Sequence, residues 1–260
     1  MPRLDGAPKT CYLTQAREPP DMTASFQLSQ MDAVEWLRTL RAESVDLVVT
    51  DPPYESLEKH RAIGTTTRLK HSKASSNNWF SVFPNSRLQE LLAQLYRVLA
   101  RNSHCYVFCD AETMFVLKPI AEAAGFKFWK PIIWDKRRIG MGYHYRARYE
   151  CILFFEKGKR RLNDLGIADI IEASRVVNGY PTEKPSAVAD VLVMQSSSAG
   201  QLVIDPFIGS GAFGVAALNG GRRFAGNDSS SESIRMASER LQLASRLQPA
   251  AVPRRAQRSR

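Results

Sequence analysis

An acid, two prolines and a tyrosine follow the apolar run at 45–50, as Asp51-Pro52-Pro53-Tyr54. Consecutive prolines have no N–H to donate and hold the backbone extended. The segment therefore keeps a carboxylate, free carbonyl groups and an aromatic ring close together. Two interpretations fit this pattern. It could be a plain exit from a buried strand, or a site that binds a flat ring bearing an amino group.

A glycine-rich turn is the second feature with a chemical use. Gly209, Gly211 and Gly214 have G-x-G-x-x-G spacing between a predicted strand and a predicted helix, and Asp228 ends the next predicted strand. Such glycines let the backbone approach a nucleoside-bearing cofactor, while the acid binds its ribose hydroxyls. Chance glycines in a tight turn and an NAD-dependent dehydrogenase are both candidates at this point.

The acid in front of that turn, Asp205, discriminates between cofactors. A carboxylate at this place would repel the pyrophosphate of a dinucleotide, and it would attract an ammonium or sulfonium group. S-adenosylmethionine carries both of these cationic groups. The pattern therefore favours S-adenosylmethionine over NAD.

The elements that must position these residues alternate between strands and helices. Apolar runs predict strands at 45–50, 104–110, 126–136, 150–158, 201–207 and 222–228. Helical spacing predicts helices at 31–43, 86–101, 111–125 with a break near Pro119, 184–198, after the glycine turn, and 230–247. This alternation predicts an α/β fold, with helices on both faces of a mostly parallel sheet.

Composition limits the function classes. The chain has 260 residues and a net charge of +10, and it has no apolar run long enough to span a bilayer. Its four cysteines form no C-x-x-C pair, which indicates free thiols and no metal site. Basic clusters at 59–73 and 130–161 lie near aromatic residues, and they favour a nucleic-acid partner.

Three motifs together resemble a known family. Asp51-Pro52-Pro53-Tyr54 resembles the D-P-P-Y catalytic motif of amino-group DNA methyltransferases. "DPFIGSG" at 205–211 resembles their F-x-G-x-G cofactor motif, and "YPTEKP" at 180–185 resembles the [HY]-P-T-x-K-P stretch upstream of it. The catalytic motif precedes the cofactor motif, an order similar to the β group. The resemblance implies a Rossmann-like S-adenosylmethionine-dependent methyltransferase fold, circularly permuted, over roughly 25–246.

The resemblance implies roles for the catalytic segment. Asp51 would accept a hydrogen bond from the target exocyclic amine, and a carbonyl of Pro52-Pro53 would accept the second. An aromatic amine is a poor nucleophile, and two acceptors would direct its lone pair toward the methyl group. Tyr54 would stack on a base flipped out of the duplex.

The resemblance also implies a cofactor site. Asp205 would lie near the ammonium of S-adenosylmethionine, Asp228 at its ribose and Asp32 near its adenine. A helix N-cap is the alternative role of Asp32. The full set of implied cofactor-binding residues is Asp32, Thr182, Lys184, Asp205, Phe207, Gly209, Ser210, Gly211 and Asp228.

The DNA-contacting loops are expected near 55–80 and 136–180, with base reading at 158–179. The residues expected to bind DNA are Arg68, Lys70, Lys136, Arg137, Arg138, Arg146 and Arg148. Within the family D-P-P-Y is more usual for adenine, so the resemblance implies site-specific N6-adenine methylation of double-stranded DNA. N4-cytosine methylation, a catalytically silent DNA-binding protein and an RNA substrate stay open as alternatives.

The expected organisation is an N-terminal tail at 1–24, a methyltransferase domain at 25–246 and a basic C-terminal tail at 247–260. We expect a cytoplasmic protein, bacterial or phage-encoded and associated with the nucleoid, because the N-terminus lacks the apolar region of a signal peptide. A homodimer and a restriction-enzyme partner are both compatible with the sequence.

Overall fold

The computed structural model describes residues 25–55, 82–140, 144–177 and 183–247. Its strands in these ranges are β1 (Phe26–Gln30), β2 (Val45–Thr50), β3 (Leu99–Cys109), β4 (Lys127–Asp135), β5 (Tyr149–Lys157), β6 (Ile170–Glu172), β7 (Leu202–Asp205) and β8 (Arg223–Asp228). Its α-helices are α1 (Ala33–Thr39), α2 (Leu88–Val98), α3 (Ala111–Ala123), α4 (Ser186–Ser196), α5 (Ala212–Asn219) and α6 (Ser231–Leu247), and a short 3-10 turn at Asn85–Arg87 precedes α2.

The eight described strands form one sheet in the order β1-β8-β7-β2-β3-β5-β4-β6. Neighbours pair in parallel except in the β3–β5 and β5–β4 pairs, so β5 alone runs against the others. A parallel connection needs a crossover, and the helices between the strands supply it. The mostly parallel sheet is therefore the one that the alternation of elements predicts.

Helices cover both faces of this sheet. On one face α1, α2 and α3 pack against strand residues such as Val48 and Val107. On the other face α4, α5 and α6 pack against the intervening residues, such as Leu47 and Phe108. Successive strand side chains point to opposite faces, so burial on both sides accounts for the near-continuous apolar run of β2. The predicted α/β class is confirmed.

Several predicted boundaries need correction. The sequence patterns miss β1 and β6, which are the two edge strands of the sheet, and β6 lies inside the stretch 158–179. The helix predicted to break near Pro119 is continuous through it. The carbonyl that this proline leaves unpaired belongs to Phe115, whose side chain is 76% exposed, so water can satisfy it. Within the described ranges no helix combines the length and apolar character needed to cross a membrane.

The carboxyl ends of the parallel strands meet at one edge of the sheet, where acidic residues collect. Asp51 follows β2, while Asp135, Asp205 and Asp228 end β4, β7 and β8. Because β5 is reversed, its beginning lies at this same edge and brings Glu150 there. Ligands of open α/β sheets bind at this edge. The fold therefore places the segment that resembles the catalytic motif next to the segment that resembles the cofactor motif.

Candidate active site

Asp51 lies at the exit of β2, and only one of its two carboxylate oxygens accepts a hydrogen bond from a described residue. Its Oδ2 accepts a hydrogen bond from the Lys184 ammonium, which is itself buried at 6% exposure. Its Oδ1 has no hydrogen-bond partner among the described residues. Lys184 precedes α4, so the segment that leads into this helix places the Lys184 ammonium at the end of β2.

The two prolines after Asp51 differ in their carbonyl groups. The Pro53 carbonyl accepts a hydrogen bond from the Phe83 backbone N–H at 2.6 Å, and Tyr54 forms an isolated parallel bridge with Phe83. Phe83 thus holds the proline segment in its extended form. The Pro52 carbonyl is the one that this pairing leaves available for a ligand.

A second carboxylate shares the Lys184 ammonium. Glu150 Oε2 lies 3.6 Å from Lys184 Nζ, and Glu150 Oε1 lies 2.6 Å from Lys136 Nζ. Acid and base therefore alternate along a chain from Asp51 to Lys184, Glu150 and Lys136. Burial raises the pKa of the Asp51 carboxyl above its ordinary value, although the Lys184 ammonium opposes this rise.

The partners of Asp51 are held in their charged forms. Burial alone would raise the pKa of Glu150, but the ammonium groups of Lys184 and Lys136 outweigh it and hold that pKa below its usual range. Burial alone would lower the pKa of Lys184, but its two carboxylate neighbours outweigh it and raise that pKa. Burial also raises the pKa of Tyr54, so its phenol stays protonated.

Asp205 lies on the core side of the glycine turn. Its Oδ1 accepts hydrogen bonds from Thr50 Oγ1 at 2.8 Å and from the Phe207 backbone N–H at 3.0 Å. Burial raises the pKa of the Asp205 carboxyl to about 7. Asp205 forms no ion pair within the described part of the chain.

Asp228 closes the other side of the turn. Its Oδ2 accepts from the Gly209 N–H at 3.1 Å and its Oδ1 from the Ser230 N–H at 2.9 Å. Burial raises the pKa of this carboxyl, and no described cation pairs with it. Asp205 is buried and Asp228 partly buried, and neither has a basic partner among the described residues. Such a pair suits a cationic ligand, because the ligand restores the missing counter-charge.

The glycine turn has a backbone that other residues would strain. Gly209 and Gly211 have φ values of 47° and 80°, in the left-handed region that favours glycine. A Cβ on Gly211 would also lie 3.2 Å from the Cβ of Ala237. Ser210 is buried in the same turn, and its carbonyl accepts from Arg240 at 3.0 Å. The ring of Phe207 meets the edge of Phe83 at 5.3 Å between centroids.

Asp32 is the N-cap of α1. Its Oδ1 accepts from the backbone N–H groups of Val34 and Glu35. Both of its oxygens also accept from the Arg87 guanidinium, at 2.7 and 2.9 Å, and this pairing lowers the pKa of Asp32. The N-cap alternative is thus the geometry observed, while a contact with the cofactor adenine stays a prediction.

The residues predicted to contact DNA have diverse surroundings. Lys136 is 13% exposed and pairs with Glu150, so it belongs to the Asp51 pocket and not to an open basic surface. Arg148 is paired with Asp135 and Arg137 with Glu172. Arg138 and Arg146 are exposed and form no ion pair with any described residue. Arg68, Lys70 and Thr182 lie outside the described residues, as do 56–80 of the expected DNA-contacting loop, the N-terminal tail at 1–24 and 248–260 of the expected C-terminal tail. Leu247, the first residue expected in that tail, ends α6.

The residues at this edge fit S-adenosylmethionine. The ligand is a cation with a ribose, and the pocket offers two uncompensated carboxyls and a turn with left-handed glycines. Across the described ranges, no group of three or more His, Cys, Asp or Glu residues is arranged to hold a metal ion.

Comparison with protein families identifies the family to which the chain belongs. The family model described as DNA methylase, N6_N4_Mtase, matches residues 45–239, about three quarters of the chain. The chain belongs to this family of DNA methylases. It is accordingly an S-adenosylmethionine-dependent DNA methyltransferase with an α/β fold.

Individual relatives agree with this assignment. The DNA adenine methyltransferase YhdJ of Escherichia coli K12 is 28% identical over 253 residues, covering 82% of each chain. The type II methyltransferase M.HpaI of Haemophilus parainfluenzae is 27% identical over 238 residues, covering 81% of this chain and 72% of its own.

Solved structures have the same fold. The DNA modification methylase TTHA0409 of Thermus thermophilus in complex with S-adenosylmethionine aligns with a TM-score of 0.62 at 21% identity, covering 85% of this chain and 96% of its own. The cytosine-N4-specific PvuII DNA methyltransferase aligns with a TM-score of 0.65 at 14% identity, covering 83% of this chain and 88% of its own.

Sequence reasoning about this DNA methylase missed three partners of the motif residues. These are Glu150, Phe83 and Arg87. Glu150 carried a local signal, because it is an acid at the start of an otherwise apolar run, "ECILFFEK". Phe83 and Arg87 carried none, because each acts through a contact distant in sequence.

The Lys184 ammonium is expected to stabilise the folded methylase. Lys184→Met leaves Asp51 and Glu150 buried without their shared cation, which costs about 3–5 kcal/mol of unfolding free energy. The folded-state pKa of Asp51, already raised by burial, then rises further, and the lowered pKa of Glu150 rises because it loses one of its two cations. Each rise makes the ionised carboxyl less stable in the folded chain, so the deficit grows as pH increases.

Urea denaturation at pH 5.5 and pH 8 measures both effects. Lys130→Met is the matched control, because Lys130 pairs with Asp169 at 57% and 49% exposure and should cost about 1 kcal/mol or less. A Lys184→Met deficit equal to that of the control, or greatest at low pH, contradicts the prediction.

Proposed function

We propose that this DNA methylase transfers the methyl group of S-adenosylmethionine to the N6 amino group of adenine in double-stranded DNA. The observation that supports the reaction most directly is that Asp51 Oδ1 and the carbonyl of the adjacent Pro52 have no hydrogen-bond donor among the described residues. The similarity to the adenine methyltransferase YhdJ supports the target base. The similarity to M.HpaI supports a site-specific reaction, with a restriction enzyme as the candidate partner.

Two acceptors at the β2 exit activate the target amine. Asp51 Oδ1 accepts one N–H and the Pro52 carbonyl accepts the other. This pairing directs the nitrogen lone pair away from the aromatic ring. When bound, S-adenosylmethionine would supply an electrophilic methyl group, whose bond to sulfur breaks so that the sulfonium leaves as a neutral thioether. The nitrogen loses one proton as its new carbon bond forms, and Asp51 accepts that proton before water removes it.

Lys184 and Tyr54 have supporting roles in this proposal. The Lys184 ammonium occupies Asp51 Oδ2 and so fixes the direction of Oδ1. Tyr54, held by its bridge to Phe83, stacks on the flipped-out base. Asp205 and Asp228 balance the positive charge of the cofactor, and Phe207 and the turn 209–211 line its site, with Thr182 contributing from the adjoining segment.

Cytosine N4 is the second candidate target. The family includes N6 and N4 enzymes, and the fold is also that of a cytosine-N4-specific methyltransferase. Both targets are exocyclic amines on aromatic rings, so the same two acceptors serve either one. The shape of the base pocket determines which of the two amines is methylated, and analysis of the methylated product identifies that amine.

Arg138 and Arg146 are the proposed phosphate contacts, because both are exposed in the β4–β5 connection near the site. The Arg138→Ala/Arg146→Ala double variant should weaken binding about tenfold to all duplex sequences alike, and it should reduce the salt slope by about 1.8. Fluorescence anisotropy over a salt series measures this.

The charge-matched control is Arg235→Ala/Arg246→Ala on α6, which should bind as the unmodified protein does. A loss confined to one target sequence would assign the two arginines to base reading instead.

Asp51 is expected to be essential for product formation. Duplex DNA of mixed sequence is incubated with the protein and S-adenosylmethionine, then digested to nucleosides and identified by mass and retention. N6-methyldeoxyadenosine should form, and Asp51→Ala should lower its rate at least about 1000-fold. Glu239→Ala, at an exposed acid of α6, is the control with unchanged rate.

N4-methyldeoxycytidine in place of the adenine product would transfer the proposal to cytosine. Absence of any methylated base while S-adenosylmethionine still binds would point to RNA or to a silent binder.

Asp205 is expected to make cofactor binding depend on pH. Its carboxyl has a pKa of about 7 in the free protein, and only the ionised form attracts a cation. Affinity for S-adenosylmethionine should therefore be constant above pH 7 and should fall toward tenfold per pH unit below it.

Calorimetry between pH 5.5 and pH 8.5 measures the dependence. Asp205→Asn should bind weakly at every pH, without the slope. Asp46→Asn changes an acid at the opposite edge of the sheet and should retain the slope. A slope that survives in Asp205→Asn assigns it to another group.

A further inference from the structure

Glu150 is a partly buried acid that the methyl transfer as described does not use. It lies at the start of β5, opposite Trp134 of β4. Its Oε1 pairs with Lys136, but its Oε2 is buried without a hydrogen-bond partner among the described residues. A buried acceptor without a donor costs free energy. The sheet does not require the Glu150 carboxylate, because strands pair through backbone groups only.

The orphaned oxygen lies near the cation that binds Asp51. Glu150 Oε2 is 3.6 Å from Lys184 Nζ, and the same ammonium lies 5.0 Å from the centroid of the Phe108 ring. Asp51, Glu150 and an aromatic face thus surround Lys184 on three sides. A flexible lysine side chain is thereby confined to one position.

We propose that Glu150 is a positioning residue for the methyl transfer, which acts through Lys184 to hold Asp51 Oδ2 and to preserve the acceptor strength of Asp51 Oδ1. This inference rests on the proposed function for the role of Asp51.

Electrostatics explain why sharing the cation matters. An ammonium paired with Asp51 alone would withdraw electron density from that carboxylate and weaken it as a hydrogen-bond acceptor. The negative charge of Glu150 offsets part of this effect, because it neutralises part of the field that the same ammonium exerts on Asp51. The direction agrees with the pKa of Asp51, which burial raises first and the nearby Glu150 raises further.

Other groups around Asp51 do not duplicate this effect. The charged and titratable groups that face it are Lys184 before α4, Glu150 of β5, Lys136 after β4, Cys109 of β3, Asp205 of β7, and Tyr54 on its own segment. Burial raises the pKa of both Cys109 and Tyr54, so each stays neutral. Glu150 is the acid among them that also contacts Lys184.

The test titrates the Asp51 carboxyl in the full chain by carbon NMR with labelled aspartate, assigned by its absence in Asp51→Asn. In Glu150→Gln the titration midpoint of Asp51 should fall by about one pH unit. In the same variant kcat should fall about tenfold, with KM for DNA and for S-adenosylmethionine within about twofold, and the acidic limb of the pH profile should move to lower pH.

Three further variants separate positioning from stability. Glu150→Asp restores the charge and should return the midpoint most of the way. Lys136→Met removes a cation near Asp51 and should raise the midpoint, a change opposite in sign to that of Glu150→Gln. This variant keeps the inference testable if Glu150→Gln does not fold. Glu156→Gln makes the same change at the buried far end of β5 and should leave both the midpoint and the pH profile unchanged.

An unchanged Asp51 midpoint in Glu150→Gln or in Lys136→Met would overturn the inference, as would an equal displacement in Glu156→Gln. The titration needs no substrate. If the unmodified protein forms no methylated base, the proposed function fails, while the midpoints still decide whether Glu150 acts on Asp51.

Discussion

The Lys184 ammonium, buried between two carboxylates, is the interaction on which the arrangement of the site depends. It joins three elements that are remote in the chain: the exit of β2, the beginning of β5 and the turn before α4. An ammonium at 6% exposure persists only where anions compensate its desolvation. The reversed direction of β5 is therefore part of the chemistry, because it brings the second anion to the edge where Asp51 lies.

The same edge has a second constraint, the fixed shape of the proline segment. Asp51 and the Pro52 carbonyl can act together only if the chain stays extended after β2. The prolines bias the backbone toward that form, and the hydrogen bond from the Phe83 N–H to the Pro53 carbonyl holds it there. Phe83 also touches the ring of Phe207 beside the glycine turn. One residue thus connects the proline segment to the glycine turn.

Local patterns predicted the positions of the motifs well, whereas contacts between remote elements could not be predicted in the same way. An apolar run followed by a breaker marks the end of a buried strand, so Asp51, Asp205 and Asp228 could be placed at strand exits that share one edge. The helix break at Pro119 was wrong, because the packing of Leu117 and Ala121 in the core offsets the backbone hydrogen bond that the proline removes. Lys136 was expected on a basic surface because its neighbours in sequence are basic. Its side chain instead turns inward to Glu150, a partner that only the pairing of β4 with β5 reveals.

The distribution of counter-charge separates the two ligands of this edge. Asp51 and Glu150 have cations supplied by the protein, so their part of the pocket is close to neutral and suits a neutral base. Asp205 and Asp228 have none among the described residues, and burial raises the pKa of each. A cationic ligand binds best where it supplies the missing charge, and a neutral ligand binds best where none is missing. If all four acids were paired with cations of the protein, the pocket would lose its electrostatic attraction for a sulfonium. If none were paired, Asp51 would attract a cation in place of the neutral amine. The placement of Lys184 and Lys136 on one side only therefore suits the proposed pair of ligands, a neutral base and a cationic cofactor, at one edge of the sheet.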